Sequence, residues 1–278
     1  MTITPGSIKT AQLHAYLLGS VSPRPICFAS TIDSEGNANL SPFSFFNVFG
    51  SNPVTLIFSP ARRVRDNTIK HTLENCHETK EVVISMVNYD MVQQMSLASC
   101  EYPKGTSEFE KAGFTPVKAD KVKPFLVKES PVNIECIVKQ IIETGQDGGA
   151  GNLIICEMVA MHINDDVLNE AQQIDPHKID LVARMGGDYY CRASGNAVFT
   201  VPKPNMNLGI GVDHLPVEIR TSTILTGNDL GQLANVSSIP VVDNTFVYVP
   251  KLDVHTDAKN LLAEGKVDEA WQVLLRNK

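Results

Sequence analysis

The chain has 278 residues, 43% of them hydrophobic and 20% charged, and a net charge of −7. That length and balance allow a sizeable buried core and argue against a disordered chain. The acidic excess argues against nucleic acid or an anionic membrane surface as partner, since both demand clustered cations.

The opening MTITPGSIKT has no basic stretch leading into an apolar run, so no secretory leader is expected and a cytoplasmic location is. No window approaches the roughly 18 apolar residues of a membrane span. The first predicted strand is the apolar run 26–32, followed by turn chemistry at Asp33, Ser34, Glu35 and Gly36. A second strand is expected over 38–49. Alternation there puts Phe43, Phe45 and Asn47 on one face and Ser44 and Phe46 on the other. Pro42 marks an edge or a bulge, where free backbone groups can bond a flat heterocycle. The same stretch also reads as an aromatic core.

A third strand is predicted at 54–59. A helix over 67–77 follows, with Ile69, Leu73 and Cys76 on one face and Asp66 or Asn67 as its cap. Strand 81–87 precedes a helix over 89–99 capped by Asn88. Ser107 and Glu110 fit a capping box, and Gly113 ends that turn. Two long strands, 132–144 and 152–163, flank a turn punctuated by Gly148, Gly149 and Gly151. Six strands with no helix of crossover length between the early ones predict a mainly β fold with short helices, closed as a six-stranded antiparallel barrel. Residues 1–194 form this domain. Residues 195–278 are read as an extension with a helix over 257–277, packed on the barrel or on a partner subunit. The six cysteines are widely spaced among apolar neighbours, as expected of reduced, buried thiols.

Three stretches carry candidate chemistry. In 57–75 a strand ends at Ser59, Pro60 breaks it, and Arg62, Arg63 and Arg65 precede a helix starting near Asn67 and Thr68. Arginine forks, helix N–H groups and the hydroxyls of Ser59 and Thr68 together suit a phosphate monoester. A solvated basic turn is the other reading. The second stretch is the aromatic run 39–53. In the third, 176–193, Arg184 precedes a Gly-Gly and the Tyr189–Tyr190 pair; these residues suit either a ligand ring or a packed turn. No nucleotide-binding loop, zincin motif or metal-ligand spacing is present, the G-x-G segments lie in the wrong context for a dinucleotide fold, and no catalytic residue is identified.

The segment SVSPRPICFASTIDSEGNANLSPFSFFNVF, the arginine-rich turn after it and SEFEKAG at 107–113 carry a resemblance that spans about residues 18–192. They resemble the flavin reductase-like, FMN-binding split-barrel proteins of the flavoredoxin type. The resemblance implies a Greek-key barrel, a homodimer, and one FMN per subunit near the dimer interface. It implies that Ser59, Arg62, Arg65, Asn67 and Thr68 hold the phosphate and that Ser44, Phe45, Phe46 and Asn47 line the ring. Arg184 and Tyr189 would approach from elsewhere in the barrel or from the second subunit. The function implied is an FMN-dependent oxidoreductase reducing a flavin or another small molecule with NAD(P)H. The alternatives are an electron carrier fed by a redox protein and a non-catalytic flavin-binding protein.

Overall fold

The run CFASTI is buried along its whole length, which explains why it lacks the alternation of a half-exposed strand. In the computed structural model, which describes residues 1–204 and 208–276, this run is strand β2 (Cys27–Ile32), and both of its faces are covered. Cys27 and Ala29 face one core with Phe43, Phe46, Leu56, Phe58, Ile84, Ile134 and Ile154. Ile26 and Phe28 face a second core with Leu40, Met91, Met95, Phe109 and Phe114. There the Phe28 and Phe114 rings meet edge to face at 5.1 Å.

The chain divides into two compact units, Met1–Phe199 and Thr200–Lys278. In the first, helix α1 (Thr10–Ser20) and the short strand β1 (Arg24–Pro25) lead into β2. Strands β3 (Ala38–Phe43), β4 (Phe46–Ser51) and β5 (Val54–Phe58) follow, then helix α2 (His71–Thr79) and β6 (Glu81–Met86). Helices α3 (Val92–Leu97) and α4 (Glu108–Ala112) precede the small ladder β7 (Pro116–Val117) and β8 (Leu126–Val127). The long hairpin β9 (Val132–Glu143) and β10 (Asn152–Ile163), the turn helix α5 (Pro176–Ile179), and strands β11 (Val182–Arg184) and β12 (Tyr190–Arg192) complete the unit.

The main sheet runs β3-β2-β6-β9-β10-β5-β4, antiparallel at every step. This corrects the closed six-stranded barrel. The sheet has seven strands, and among the described residues no ladder joins its edges β3 and β4, so it is open. Nor is the chain mainly β, because helix is as abundant as strand. The extra strand comes from splitting 38–49. Phe43 and Phe46, three residues apart, both enter the same core, a spacing no single strand permits. The chain therefore breaks at Ser44–Phe45 and carries β4 to the opposite edge. Pro42, lacking an N–H, lies on edge strand β3.

Local expectations also shift. Helix α2 begins at His71, four residues after Asn67, because Asn67 is held left-handed at φ 59° and Asp66 ties down Thr68 in its own turn. The capping box at Ser107 does not form. The buried Glu108 carboxylate instead accepts the N–H of Leu40 at 2.8 Å. Gly113 closes α4 at φ 71°, as its position predicts.

The second unit has its own core. It comprises α6 (Val217–Arg220), α7 (Gly227–Leu233), α8 (Val254–Ala263) and α9 (Val267–Leu275), around a fully buried Trp271. The Trp271 indole donates to the Leu233 carbonyl at 3.1 Å. A capping box between Thr226 and Asp229 opens α7. The predicted helix 257–277 is two helices, separated where Gly265 takes φ 74°. Residue 277 lies outside the described residues.

Candidate functional site

Ser59 joins two of the three candidate stretches. Its N–H donates to the Phe45 carbonyl at 2.9 Å, so the Ser44–Phe45 break sits directly against the end of β5. The buried Ser59 Oγ accepts the N–H of Asn152, and the Asn152 amide donates to the Pro60 carbonyl at 2.8 Å. Asn152 is wholly buried, and its Oδ1 is left without a partner. Ser59, Pro60 and β10 are thereby locked together at the root of the arginine turn.

Beyond Pro60 the turn is pinned to the β9–β10 hairpin. The Arg62 N–H donates to the Ala150 carbonyl at 2.8 Å, and Gly149 donates back to the Arg62 carbonyl at 2.9 Å. Asn67 donates to the Gln146 carbonyl at 2.9 Å. A side chain at Gly148 would meet the carbonyl oxygens of Arg63 and Val64 at 3.0 and 3.1 Å, so glycine permits this close approach. This hairpin wall was missed in the sequence. Its signal was the G-G-x-G turn, whose meaning depends on what it packs against.

The guanidinium groups are held differently from one another. Arg62 Nε donates to Asn67 Oδ1 at 2.9 Å, and its two terminal nitrogens have no partner among the described residues. Arg63 donates to Thr68 Oγ1 at 2.8 Å, to the Ile69 carbonyl at 3.0 Å and to Glu101 at 2.9 Å. Arg65, largely exposed, is paired with Asp66 at 3.0 Å and Glu101 at 2.8 Å. Hydrogen bonds from the Thr68 side chain and N–H, with Arg65 alongside, pull the Asp66 carboxyl down to about 2. Glu101 is likewise lowered, chiefly by Arg65. Arg62, Arg63, Asp66, Asn67, Thr68 and Glu101 border an open cleft of about 650 Å³, to which His71, Glu74 and Tyr102 also contribute. Beside it Lys70 lies 5.1 Å from the Phe43 ring centre, and burial lowers its pKa.

Of the predicted ring-lining residues, Ser44 is half-buried and Phe45 and Asn47 are exposed, while Phe46 belongs to the core. Phe45 packs edge-on against His14 of α1 at 6.2 Å. Among the described residues the Asn47 side chain accepts only the N–H of its neighbour Val48.

Arg184 ends β11 of the small sheet β1-β11-β12, and Tyr189 lies in the turn just before β12. Arg184 donates to the Gly187 carbonyl at 2.7 Å and stacks on Tyr190 at 4.5 Å; Tyr189 is exposed. Arg24, directly opposite Arg184 in the ladder, connects this sheet to the rest. It is 6% exposed and donates to the carbonyls of Leu18, Val21 and Met185 at 2.6, 2.7 and 3.0 Å, with a longer contact of 3.5 Å to Ser44. Burial, then the neighbouring Arg184, lowers its pKa. Arg24 was visible in the sequence only as part of an R-P motif, with no hint of partners up to 161 residues away.

Ser44, Phe45, Ser59, Arg62, Asn67 and Thr68 are thus linked through short contacts, and Arg184 reaches them through Arg24. Among the described residues, Asp120, Glu135 and His162 could group around a metal ion. Glu135, however, already accepts three backbone N–H groups and the His162 ring.

Residues 18–180 match the sequence profile of the flavin reductase like domain. An uncharacterized protein of Aquifex aeolicus (strain VF5) is 36% identical over 189 residues, covering 68% of this chain and 94% of its own. Among solved structures, nitrilotriacetate monooxygenase component B from Bacillus cereus superposes with a TM-score of 0.67 at 26% identity, over 72% of this chain and 98% of its own. The Pseudomonas fluorescens 2-nitrobenzoate 2-nitroreductase NbaA gives 0.64 at 26% identity, over 73% and 96%. The family match stops short of Arg184 and Tyr189.

Proposed function

Since this chain belongs to the flavin reductase-like domain family, we propose that it binds FMN and works as a flavin-dependent oxidoreductase that reduces a small molecule with NADH or NADPH. The observation that carries this reading is the Ser59–Phe45 hydrogen bond, which ties the root of the arginine turn to the break in the aromatic strand. A nucleotide with an aromatic ring at one end and a phosphate at the other needs that pairing of surfaces.

The donor set suits such a group. The two unpartnered Arg62 nitrogens form a fork for phosphate oxygens, and Asn67 fixes the fork's direction through Nε. Ser59 and Asn152 hold the turn's root rigid, so little ordering is needed on binding. Thr68 keeps Asp66 turned onto its own backbone and away from an incoming anion. At the other end, Ser44 and the exposed Phe45 offer a polar edge and an apolar face for a ring. The flavin, when bound, supplies the hydride and electron transfer; the chain supplies binding, orientation and electrostatics.

We place a second copy of the chain against helix α1, which buries none of its residues although it carries Leu13, Tyr16, Leu17 and Leu18. The exposed Val48 and Phe49 of edge strand β4 offer a further apolar surface.

The test is the absorption spectrum of the purified protein, followed by anaerobic addition of NADH or NADPH. A flavin band that bleaches with either supports the reductase. A colourless protein that takes up no added FMN refutes the proposal. A band reduced only by a ferredoxin-like protein would leave the flavin and replace the donor.

A further inference from the structure

The arginine turn already holds an anion. Glu101, on the loop between α3 and α4, places one carboxylate oxygen 2.9 Å from Arg63 Nε and the other 2.8 Å from Arg65 Nη2. Two guanidinium groups converging on two oxygens is how a phosphate would be held in the same place. The other carboxylates at the cleft have further partners. Asp66 also meets Arg65 at 3.0 Å but is anchored to the N–H and hydroxyl of Thr68, and Glu74 faces Lys104 at 3.3 Å. Among the described residues, Glu101 alone has these arginines as its only side-chain partners, and its side chain is 51% exposed. It can leave without breaking a turn.

We propose that Glu101 is a specificity-determining residue of the site, a displaceable carboxylate that occupies Arg63 and Arg65 until a phosphate takes its place. This rests on the reading of residues 59–68 as the phosphate-binding corner. The terminal phosphate must enter at the unpartnered Arg62 and then compete with Glu101 for the other two arginines. Glu101 therefore lowers affinity for any anion too weak to displace it and leaves affinity for the uncharged part of the ligand untouched. Exposed ion pairs of this kind are individually weak, so the exchange is reversible.

The proposal is tested by titrating the apoprotein and its Glu101→Gln and Glu101→Ala variants with FMN and with riboflavin, which lacks the phosphate, following flavin fluorescence. Both variants should bind FMN on the order of three- to tenfold more tightly, the scale of two exposed ion pairs no longer broken, with riboflavin affinity unchanged. Unchanged or weaker FMN binding in the variants, with riboflavin affinity constant, overturns the role of Glu101 and leaves the phosphate corner standing. Equal affinity of the wild-type protein for FMN and riboflavin overturns the corner itself, and the proposal with it.

Discussion

Two groups of arginines lie in the first unit, and their partners differ in kind. Arg62, Arg63 and Arg65 are half-buried or exposed and bond mainly to side chains, those of Asn67, Thr68, Asp66 and Glu101, with the Ile69 carbonyl an added partner of Arg63. Arg24 is buried and bonds to three backbone carbonyls. A side chain can swing away and be replaced by a ligand; a carbonyl at a helix end or in a turn cannot move without the backbone. The same residue type thus serves binding in one place and architecture in the other, and the partner list, not the charge, separates them.

The largest expected effect breaks the first group. Replacing Arg62 and Arg65 together with alanine should weaken FMN binding by about 3 kcal/mol or more, roughly a hundredfold, since each charge-assisted contact is worth about 1.5–3 kcal/mol. Riboflavin binding and the thermal midpoint should stay almost constant, because surface changes usually cost no more than about 0.5 kcal/mol. Isothermal titration with both ligands decides it; a parallel loss of riboflavin affinity would count against the phosphate assignment.

Arg24→Met should do the reverse. It strips donors from the carbonyls of Leu18, Val21 and Met185 and should cost about 2–4 kcal/mol of stability, read from urea unfolding. A variant as stable as the wild type would show that Arg24 does not tie the small sheet to α1.

A smaller effect tests the hairpin wall. In Gly148→Ala the new methyl presses on the carbonyls of Arg63 and Val64, at a cost of about 1–3 kcal/mol for overpacking. FMN affinity should fall while the contacts of Arg24 remain as they are, which protein NMR chemical shifts would report. Unaltered affinity would separate the hairpin from the site.

The smallest effect is in pH. Asp66 titrates at about 2 in the folded chain against an ordinary 3.8. A depressed carboxyl stabilises the fold above its unfolded value and loses that contribution as pH falls through the folded one. The 66–68 turn should therefore loosen between about pH 4 and pH 2. The Arg24 cluster, which contains no carboxylate, should not respond in that window. Carbon NMR of the Asp66 carboxyl titrating near 3.8 would refute this.

Much of the first unit was legible because its signals are local. The strands at 27–32, 54–58, 81–86, 132–143 and 152–163 announce themselves by β-branched and apolar runs, and the arginine turn by four cations among twelve residues of an acidic chain. The failures share one cause. The break at Ser44–Phe45 depends on Phe43 and Phe46 sharing a core, which a period-two pattern hides. The helix start slipped from Asn67 to His71 because the Asp66 side chain outcompeted the helix for Thr68. In the second unit, Gly265 divided what read as one amphipathic helix.

The residue order alone therefore determined where the longer strands run and which cations crowd together, since these follow from backbone sterics and spacing within a few residues. Tertiary structure alone decided that β3 and β4 take opposite edges of an open seven-stranded sheet, that Arg24 binds a loop 161 residues away, and that Glu101 closes on Arg63 and Arg65. Those outcomes depend on which distant groups share a buried space, and free energy of burial and pairing across such separations leaves no periodic trace in the chain.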